Sequence, residues 1–286
     1  MSILQAAVLG LVQGLAEFLP ISSSGHLLLA RMLMGISDEA AATGPYMMLD
    51  VLLHAGTLLA VLVVFWKDWW AILKNPFRSR TLLLLIIASL PALAVVVLLG
   101  DVVDSFFTGW FLGVSFLITA VFMLIAETVS RRRARWEERP GFRHAVCMGL
   151  MQAVALLPGV SRSGSTLMGG VASGLNRKSA AKFSFMMSAP AILGSLIFEG
   201  KDALEMGYME ELALVPTIVG VLVAAVSGYL AIRFMLRLIS RVSLNWFALY
   251  VALLGLAILL LQLTGCAALP AFEFPVLGSA PGVPMG

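Results

Sequence analysis

Residues Gly10-Leu-Val-Gln-Gly-Leu-Ala-Glu-Phe-Leu-Pro-Ile-Ser-Ser-Ser-Gly-His26 are partly repeated by Gly149-Leu-Met-Gln-Ala-Val-Ala-Leu-Leu-Pro-Gly-Val-Ser-Arg-Ser-Gly164. Both copies run apolar, break at a proline and end in a serine-glycine cluster. The chain around them is 60% hydrophobic and only 12% charged, with a mean hydropathy of +0.98. No soluble chain of 286 residues has that composition, so it reads as a polytopic helical membrane protein. A polar, glycine-rich break is costly in lipid unless it lines a buried site, because its backbone groups find no water there. Two such breaks in matching halves point to one site made from both.

Outward from the breaks, six apolar runs are long enough to cross a bilayer, at about 46–66, 82–99, 110–126, 183–198, 212–230 and 246–263. Regions 2–34 and 142–175 are each cut in the middle, leaving halves too short to span, and each reads as a re-entrant helical hairpin. Basic residues set the orientation. Lys67, Lys74, Arg78 and Arg80 follow the first span, and Arg131, Arg132, Arg133, Arg135, Arg139 and Arg143 the third. Arg177, Lys178 and Lys182 precede the fourth, and Arg233, Arg237 and Arg241 separate the last two. These loops are expected in the cytoplasm. The alternate loops hold Asp38, Glu39, Asp101, Asp104, Glu199, Asp202, Glu205, Glu210 and Glu211, with Lys201 their one basic residue, and are expected outside. Trp66, Trp69, Trp70, Trp110 and Trp246 suit the interfacial aromatic belt.

Each half then holds one hairpin and three spans. Because three is odd, the second half is expected upside down relative to the first, with the hairpin tips meeting near mid-membrane. The expected fold is an all-α polytopic membrane protein: six transmembrane helices plus two re-entrant hairpins in an inverted-topology repeat. Repeat one covers about 1–130 and repeat two about 140–264, joined by the charged stretch 130–143, with 265–286 a flexible tail. Met1-Ser-Ile-Leu lacks a basic n-region, so no cleaved signal peptide is expected. Cys147 and Cys266 lack the spacing of a thiolate metal site and are not expected to pair.

The tips carry the chemistry. Gln13 and Glu17 share a helix face just before Pro20, and Ser22, Ser23, Ser24, Gly25 and His26 follow it. The second tip offers Ser161, Arg162, Ser163, Gly164, Ser165 and Thr166. Arginine grips phosphate oxygens in a bidentate fork, and Ser/Gly turns at helix N-termini present N–H donors. A carboxylate can hold a divalent cation on those oxygens, and histidine can act as acid, base or nucleophile near neutral pH. The set suits a phosphate group. The plainer reading makes Glu17 and Arg162 a buried structural ion pair and leaves Ser and Gly to close helix packing. Asp50 and His54 read as an interfacial pair or hairpin contact, His144 as surface, and Glu127 as the partner of a nearby arginine.

Pro20-Ile-Ser-Ser-Ser-Gly-His26 and Ser161-Arg162 resemble the signature of membrane phosphatidate-type phosphatases. Those require a second histidine six residues after the arginine, where this chain has Met168, so that family is rejected. Instead the chain resembles the bacterial undecaprenyl-diphosphate phosphatase, or bacitracin-resistance, family over nearly its whole length. Gln13-Gly-Leu-Ala-Glu17 matches the family's (Glu/Gln)-x-x-x-Glu element, and Pro158-Gly-Val-Ser-Arg-Ser-Gly-Ser-Thr166 its Pro-Gly-x-Ser-Arg-Ser-x-x-Thr element. The Pro20 to His26 segment matches as well.

That resemblance implies removal of the terminal phosphate of undecaprenyl diphosphate, which recycles the lipid carrier for cell-wall synthesis and confers bacitracin resistance. It implies Glu17, Ser23, His26 and Arg162 as the catalytic set, with Ser23 the suggested nucleophile, and a divalent cation, Mg²⁺ or Ca²⁺, on Gln13 and Glu17. Ser22, Ser24, Gly25, Ser161, Ser163, Gly164 and Thr166 would bind substrate. The expected partners are the undecaprenyl diphosphate and membrane lipids, with no nucleic acid, and a homodimer is admitted. The expected location is the bacterial inner membrane, with the pocket opening outward. A polyprenyl-phosphate transporter would need the same inverted repeat and anion-binding groups, and is the alternative.

Overall fold

The computed structural model describes residues 1–36, 45–104, 111–205 and 213–264. Its first helix, α1 (Ile3–Phe18), starts on a capping box: the Gln5 amide donates to Ser2 Oγ at 3.1 Å and the Ser2 amide to Gln5 Oε1 at 2.8 Å. Both are N–H groups that a helix start otherwise leaves unpaired. Before Pro20, Leu19 turns extended, as the residue ahead of a proline must, and the helix ends. The arm that follows is α2 (Ser23–Leu33). A longer break, which starts at the Ala155 cap and turns through Pro158, separates α7 (Phe142–Val154) from α8 (Arg162–Ser173). The longest of the four arms has 16 residues, about 24 Å at the α-helical rise. That falls short of a hydrocarbon core of roughly 30 Å, so both regions are the broken helices expected.

The remaining helices are α3 (Pro45–Val64), α4 (Trp66–Lys74), α5 (Arg80–Asp104), α6 (Leu112–Arg132), α9 (Arg177–Glu205), α10 (Leu214–Leu238) and α11 (Asn245–Leu263). Among the described residues, five are long and apolar enough to cross a membrane, or six if α3 and α4, bent by 78° at Phe65, form one span. The chain is therefore an all-helical, multi-pass membrane protein. One expectation needs correcting: Lys67 and Lys74 do not lie in a connecting loop but in helix α4. Asp68 in its first turn and Lys74 in its last complement the helix dipole. Ile72 is buried on its inner side while Trp66 and Trp70 stay exposed, and Lys182 of α9 pairs with Asp68 at 2.7 Å.

The two halves pack reciprocally. α1 lies against α10 and α7 against α5, while α6 pairs with α11 and α3 with α9. Small residues permit the two reciprocal contacts at matching places. A Cβ on Gly10 would stand 2.3 Å from the Gly220 carbonyl oxygen of α10, and one on Gly149 would stand 2.6 Å from that of Ala88 in α5. Membrane helices gain most of their mutual attraction from such close approach, because lipid supplies little hydrophobic drive.

At the arginine-rich end, Glu127 is buried and accepts from Arg131 (2.7 Å), Arg177 (2.6 Å) and the Leu244 amide (2.8 Å). It thereby pairs with an arginine as expected and ties α6, α9 and the start of α11 together. His144, expected at the surface, is instead only 1% exposed. Its Nδ1 accepts from the Gly141 amide at 2.9 Å, and Nε2 faces Glu137 at 3.6 Å. The chain around Glu137 bonds to Gly174 and Asn176 and so covers the ring. The expectations for Asp38, Glu39, Trp110, Glu210, Glu211, Cys266 and the 265–286 tail lie outside the described residues.

The contact at Gly10 yields a direct test. Gly10→Ala should destabilise the detergent-solubilised protein by about 1–3 kcal/mol through overpacking. Gly194→Ala, in α9 with nothing near the added methyl, should be neutral or stabilising by about 0.5–1 kcal/mol. Thermal unfolding of both variants checks this; equal midpoints would rule out a tight α1–α10 contact.

Candidate active site

The second arm of each hairpin begins on a serine cap. Ser22 Oγ accepts from the Gly25 amide (3.3 Å) and Ser161 Oγ from the Gly164 amide (3.1 Å). The cap serine's carbonyl then takes the backbone N–H of His26 in one arm and of Ser165 in the other. The caps thus match residue for residue, yet their backbones differ. Ser22 sits at φ 75°, a conformation rare outside glycine, whereas Ser161 is extended at φ −68°. Such a residue persists only where its surroundings hold it, and these positions cluster at functional sites. Here the grip comes from Gly25 on Ser22 Oγ and from His26, whose backbone amide and ring Nδ1 both donate to the Ser22 carbonyl.

The breaks also interlock. Ser163 Oγ donates to the Leu19 carbonyl at 2.9 Å, and the Gly159 amide donates to Ser24 Oγ at 3.2 Å. α6 supports the second break: Ser115 Oγ donates to the Pro158 carbonyl (2.6 Å), and Thr119 Oγ1 accepts from the Ser161 amide (3.0 Å). As a result the N-termini of α2 and α8 lie side by side, each contributing the partial positive charge of a helix start.

The residues right after the two caps, Ser23 and Arg162, meet on one carboxylate. Arg162 Nη2 is 2.6 Å from Glu17 Oε1, and Ser23 Oγ donates to Glu17 Oε2 at 2.6 Å. Gln13 Nε2 donates to that same Oε2 at 3.2 Å. Glu17 is only 6% exposed, so its charge needs these partners. Arg162 is also close to the Ser184 carbonyl of α9, at 3.5 Å. The plainer reading of Glu17 and Arg162 as an ion pair is thus literally present, with a hydroxyl placed on the carboxylate's other oxygen.

Of the expected catalytic set, Glu17, Ser23 and Arg162 come together, whereas the His26 ring turns to Ser22, Phe116 and Tyr250. Its Nδ1 donates to the Ser22 carbonyl and its Nε2 accepts from the Tyr250 hydroxyl, both at 2.7 Å. Among the expected substrate-binding residues, Ser22, Ser161, Ser163 and Thr166 spend their hydroxyls on caps and interlocks; Thr166 bonds Ser184 at 2.6 Å. Ser24 is exposed and Ser23 half-buried. Gly25 and Gly164 supply the amides that close the caps.

Sequence reasoning missed several contributors. Arg31 of α2 pairs with Asp50 of α3, which makes Asp50 a hairpin contact. Arg31 was discoverable, since an arginine within a membrane segment is a functional signal by default. His54 of α3 is held by a 2.8 Å bond from Nδ1 to the Asp50 carbonyl. α1 and α3 run side by side there: Leu9 clusters with Leu49 and Leu53, and Phe18 with Leu58 and Val61. Tyr250, Thr119 and Ser184 carry no local sequence signal, because each reaches the site only through packing.

Gln13 Oε1 is buried with no hydrogen-bond partner beside Glu17. An amide oxygen and a carboxylate are hard donors of the kind Mg²⁺ and Ca²⁺ take, and Mg²⁺ commonly uses one or two carboxylates with substrate phosphates completing its shell. Gln13 Oε1 is the free donor of that kind here, while both Glu17 oxygens already hold partners, Arg162 on one and Ser23 with Gln13 on the other. Among the described residues no three of His, Cys, Asp and Glu cluster as a self-sufficient metal site.

Comparison with known proteins gives the family. The family model described as bacitracin resistance protein BacA matches residues 6–257. Undecaprenyl-diphosphatase of Carboxydothermus hydrogenoformans is 40% identical over 267 residues, covering 93% of this chain and 99% of the relative. That of Rubrobacter xylanophilus is 41% identical over 281 residues, covering 91% and 100%. Undecaprenyl-diphosphatase 3 of Bacillus cereus (strain ATCC 14579) is 40% identical over 265 residues, covering 92% and 99%. A match spanning both breaks and nearly every helix leaves one assignment: the chain belongs to the bacitracin resistance protein BacA family.

Proposed function

We propose that this protein is an undecaprenyl-diphosphate phosphatase that releases the terminal phosphate and leaves undecaprenyl phosphate. The observation that carries the reading is the Glu17–Arg162 pair closed across the two breaks, with the Ser23 hydroxyl on the same carboxylate. The names of its relatives support the substrate. In this proposal the hairpins enter from opposite sides of the bacterial inner membrane and the pocket opens outward, consistent with the arginine-rich loops lying in the cytoplasm.

The chemistry follows from the placement of atoms. Arg162 and the amides at the starts of α2 and α8 hold the oxygens over which charge spreads during phosphoryl transfer. Ser23 Oγ attacks the distal phosphorus as its proton passes to Glu17, which already accepts its hydrogen bond. The Ser23 O–P bond forms and the bond to the bridging oxygen breaks, so undecaprenyl phosphate leaves. Water then cleaves the phosphoserine, releasing phosphate. Glu17 with Gln13 would hold a divalent cation, which when bound neutralises charge on the leaving phosphate. His26 belongs to the same site as a base or acid for the water step.

Release of phosphate from C55 diphosphate by the purified protein tests the assignment. Arg162→Ala should lower turnover by about 10²–10³-fold, the usual cost of removing a donor to transition-state charge. Near wild-type turnover in that variant sinks the assignment, and lipid movement across liposomes without phosphate release would favour the transporter. For the metal, Gln13→Glu should lower the Mg²⁺ or Ca²⁺ concentration giving half-maximal activity, because a second carboxylate strengthens a hard-cation site. An unchanged or higher requirement would remove Gln13 from the metal site.

A further inference from the structure

His26 is held by hydrogen bonds at both ring nitrogens and by two aromatic neighbours. Tyr250 of α11 stacks on its face, with centroids 5.7 Å apart and planes at 23°. Phe116 of α6 meets its edge at 5.4 Å and 90°. The Ser22 carbonyl can only accept, so Nδ1 carries a proton, and in the neutral ring Nε2 presents a lone pair. That lone pair is the ring position able to take a proton and, once protonated, to donate to a phosphate oxygen, and the Tyr250 hydroxyl occupies it at 2.7 Å.

Tyr250 itself is 46% exposed. It sits on the outer flank of α11 with Trp246, Leu249 and Leu253, all exposed as well. A ligand that reaches Nε2 would have to displace the phenol first. The hydroxyl donates to that lone pair, so Nε2 can take up a proton and then donate to a phosphate oxygen only after the phenol moves aside, while the ring contact keeps the imidazole aimed.

We propose that Tyr250 is a positioning residue that caps His26 Nε2 in the ligand-free protein and yields it to the entering phosphate head group. The histidine is then engaged only once a lipid has displaced the phenol. This rests on the phosphatase reading for its substrate, but the cap itself is a property of the free protein.

The test uses the full-length protein in detergent and the shape-conserving variant Tyr250→Phe, which keeps the stack and removes the hydroxyl. Diethylpyrocarbonate modifies an unprotonated imidazole nitrogen, and peptide mapping separates His26 from His54 and His144. Modification of His26 should quicken by about two- to tenfold, the range set by one net hydrogen bond, with the other two histidines unchanged. In turnover, kcat/KM for C55 diphosphate should rise by a similar factor, carried mainly in KM. Tyr250→Ala, which also loses the stack, should modify quickly but show a lower kcat. An unchanged His26 modification rate in Tyr250→Phe overturns the cap. So does a kcat loss above tenfold at constant KM, which would mean that Tyr250 acts on the reacting atoms. If the protein releases no phosphate at all, the modification arm still decides the cap, so the two failures are distinguishable.

Discussion

Glu17 and Arg162 bring opposite charges into a setting where neither could remain alone. Removing one member of such a buried pair costs about 3–5 kcal/mol, because the charge left behind has neither water nor partner. The two side chains lie 145 residues apart in the chain and 2.6 Å apart in space. Their union requires two broken helices, each interrupted by a proline-containing turn and restarted by a serine cap. It also requires the breaks to interlock through Ser163 with Leu19 and Gly159 with Ser24. The close passage of α1 along α10 and of α7 along α5 holds those breaks at one depth.

The two tips keep the same backbone logic and differ in what they add to it. Ser22 and Ser161 cap, and Gly25 and Gly164 donate to those caps. The next position carries a hydroxyl in one tip and a guanidinium in the other, Ser23 and Arg162, and both converge on Glu17. Gln13 and Gln152 fill matching places on the first arms, and both are buried with an amide oxygen unpaired. One turn later the copies part: Glu17 in the first faces Leu156 in the second as its counterpart in sequence. Two equal tips would hold two half-sites. Divergence at a few side chains makes one asymmetric site from a symmetric frame.

Much of this was legible in the residues. The breaks, the arms and the union of Glu17, Ser23 and Arg162 follow from apolar length, proline position and the cost of charge in lipid. What escaped the reading depends on side chains that find each other only after folding. Helix α4 looks like a loop because its nine residues mix lysines and tryptophans, and only the 78° bend gives it an inner face for Ile72. His144 looks like a surface residue because the chain that covers it, around Glu137, is itself highly charged. The link from Tyr250 to His26 spans 224 residues, so no local pattern announces it.

Whether the pair joining the repeats also works as one catalytic unit is answered by a double-mutant cycle on kcat/KM with C55 diphosphate. Its members are Glu17→Gln, Arg162→Gln and the combined variant, each measured alongside the parent protein. Residues acting as a unit give strongly non-additive losses. The combined variant should therefore be no slower than the worse single one. Losses that multiply, with each substitution costing its full factor whether or not the other is present, would contradict a single Glu17–Arg162 unit.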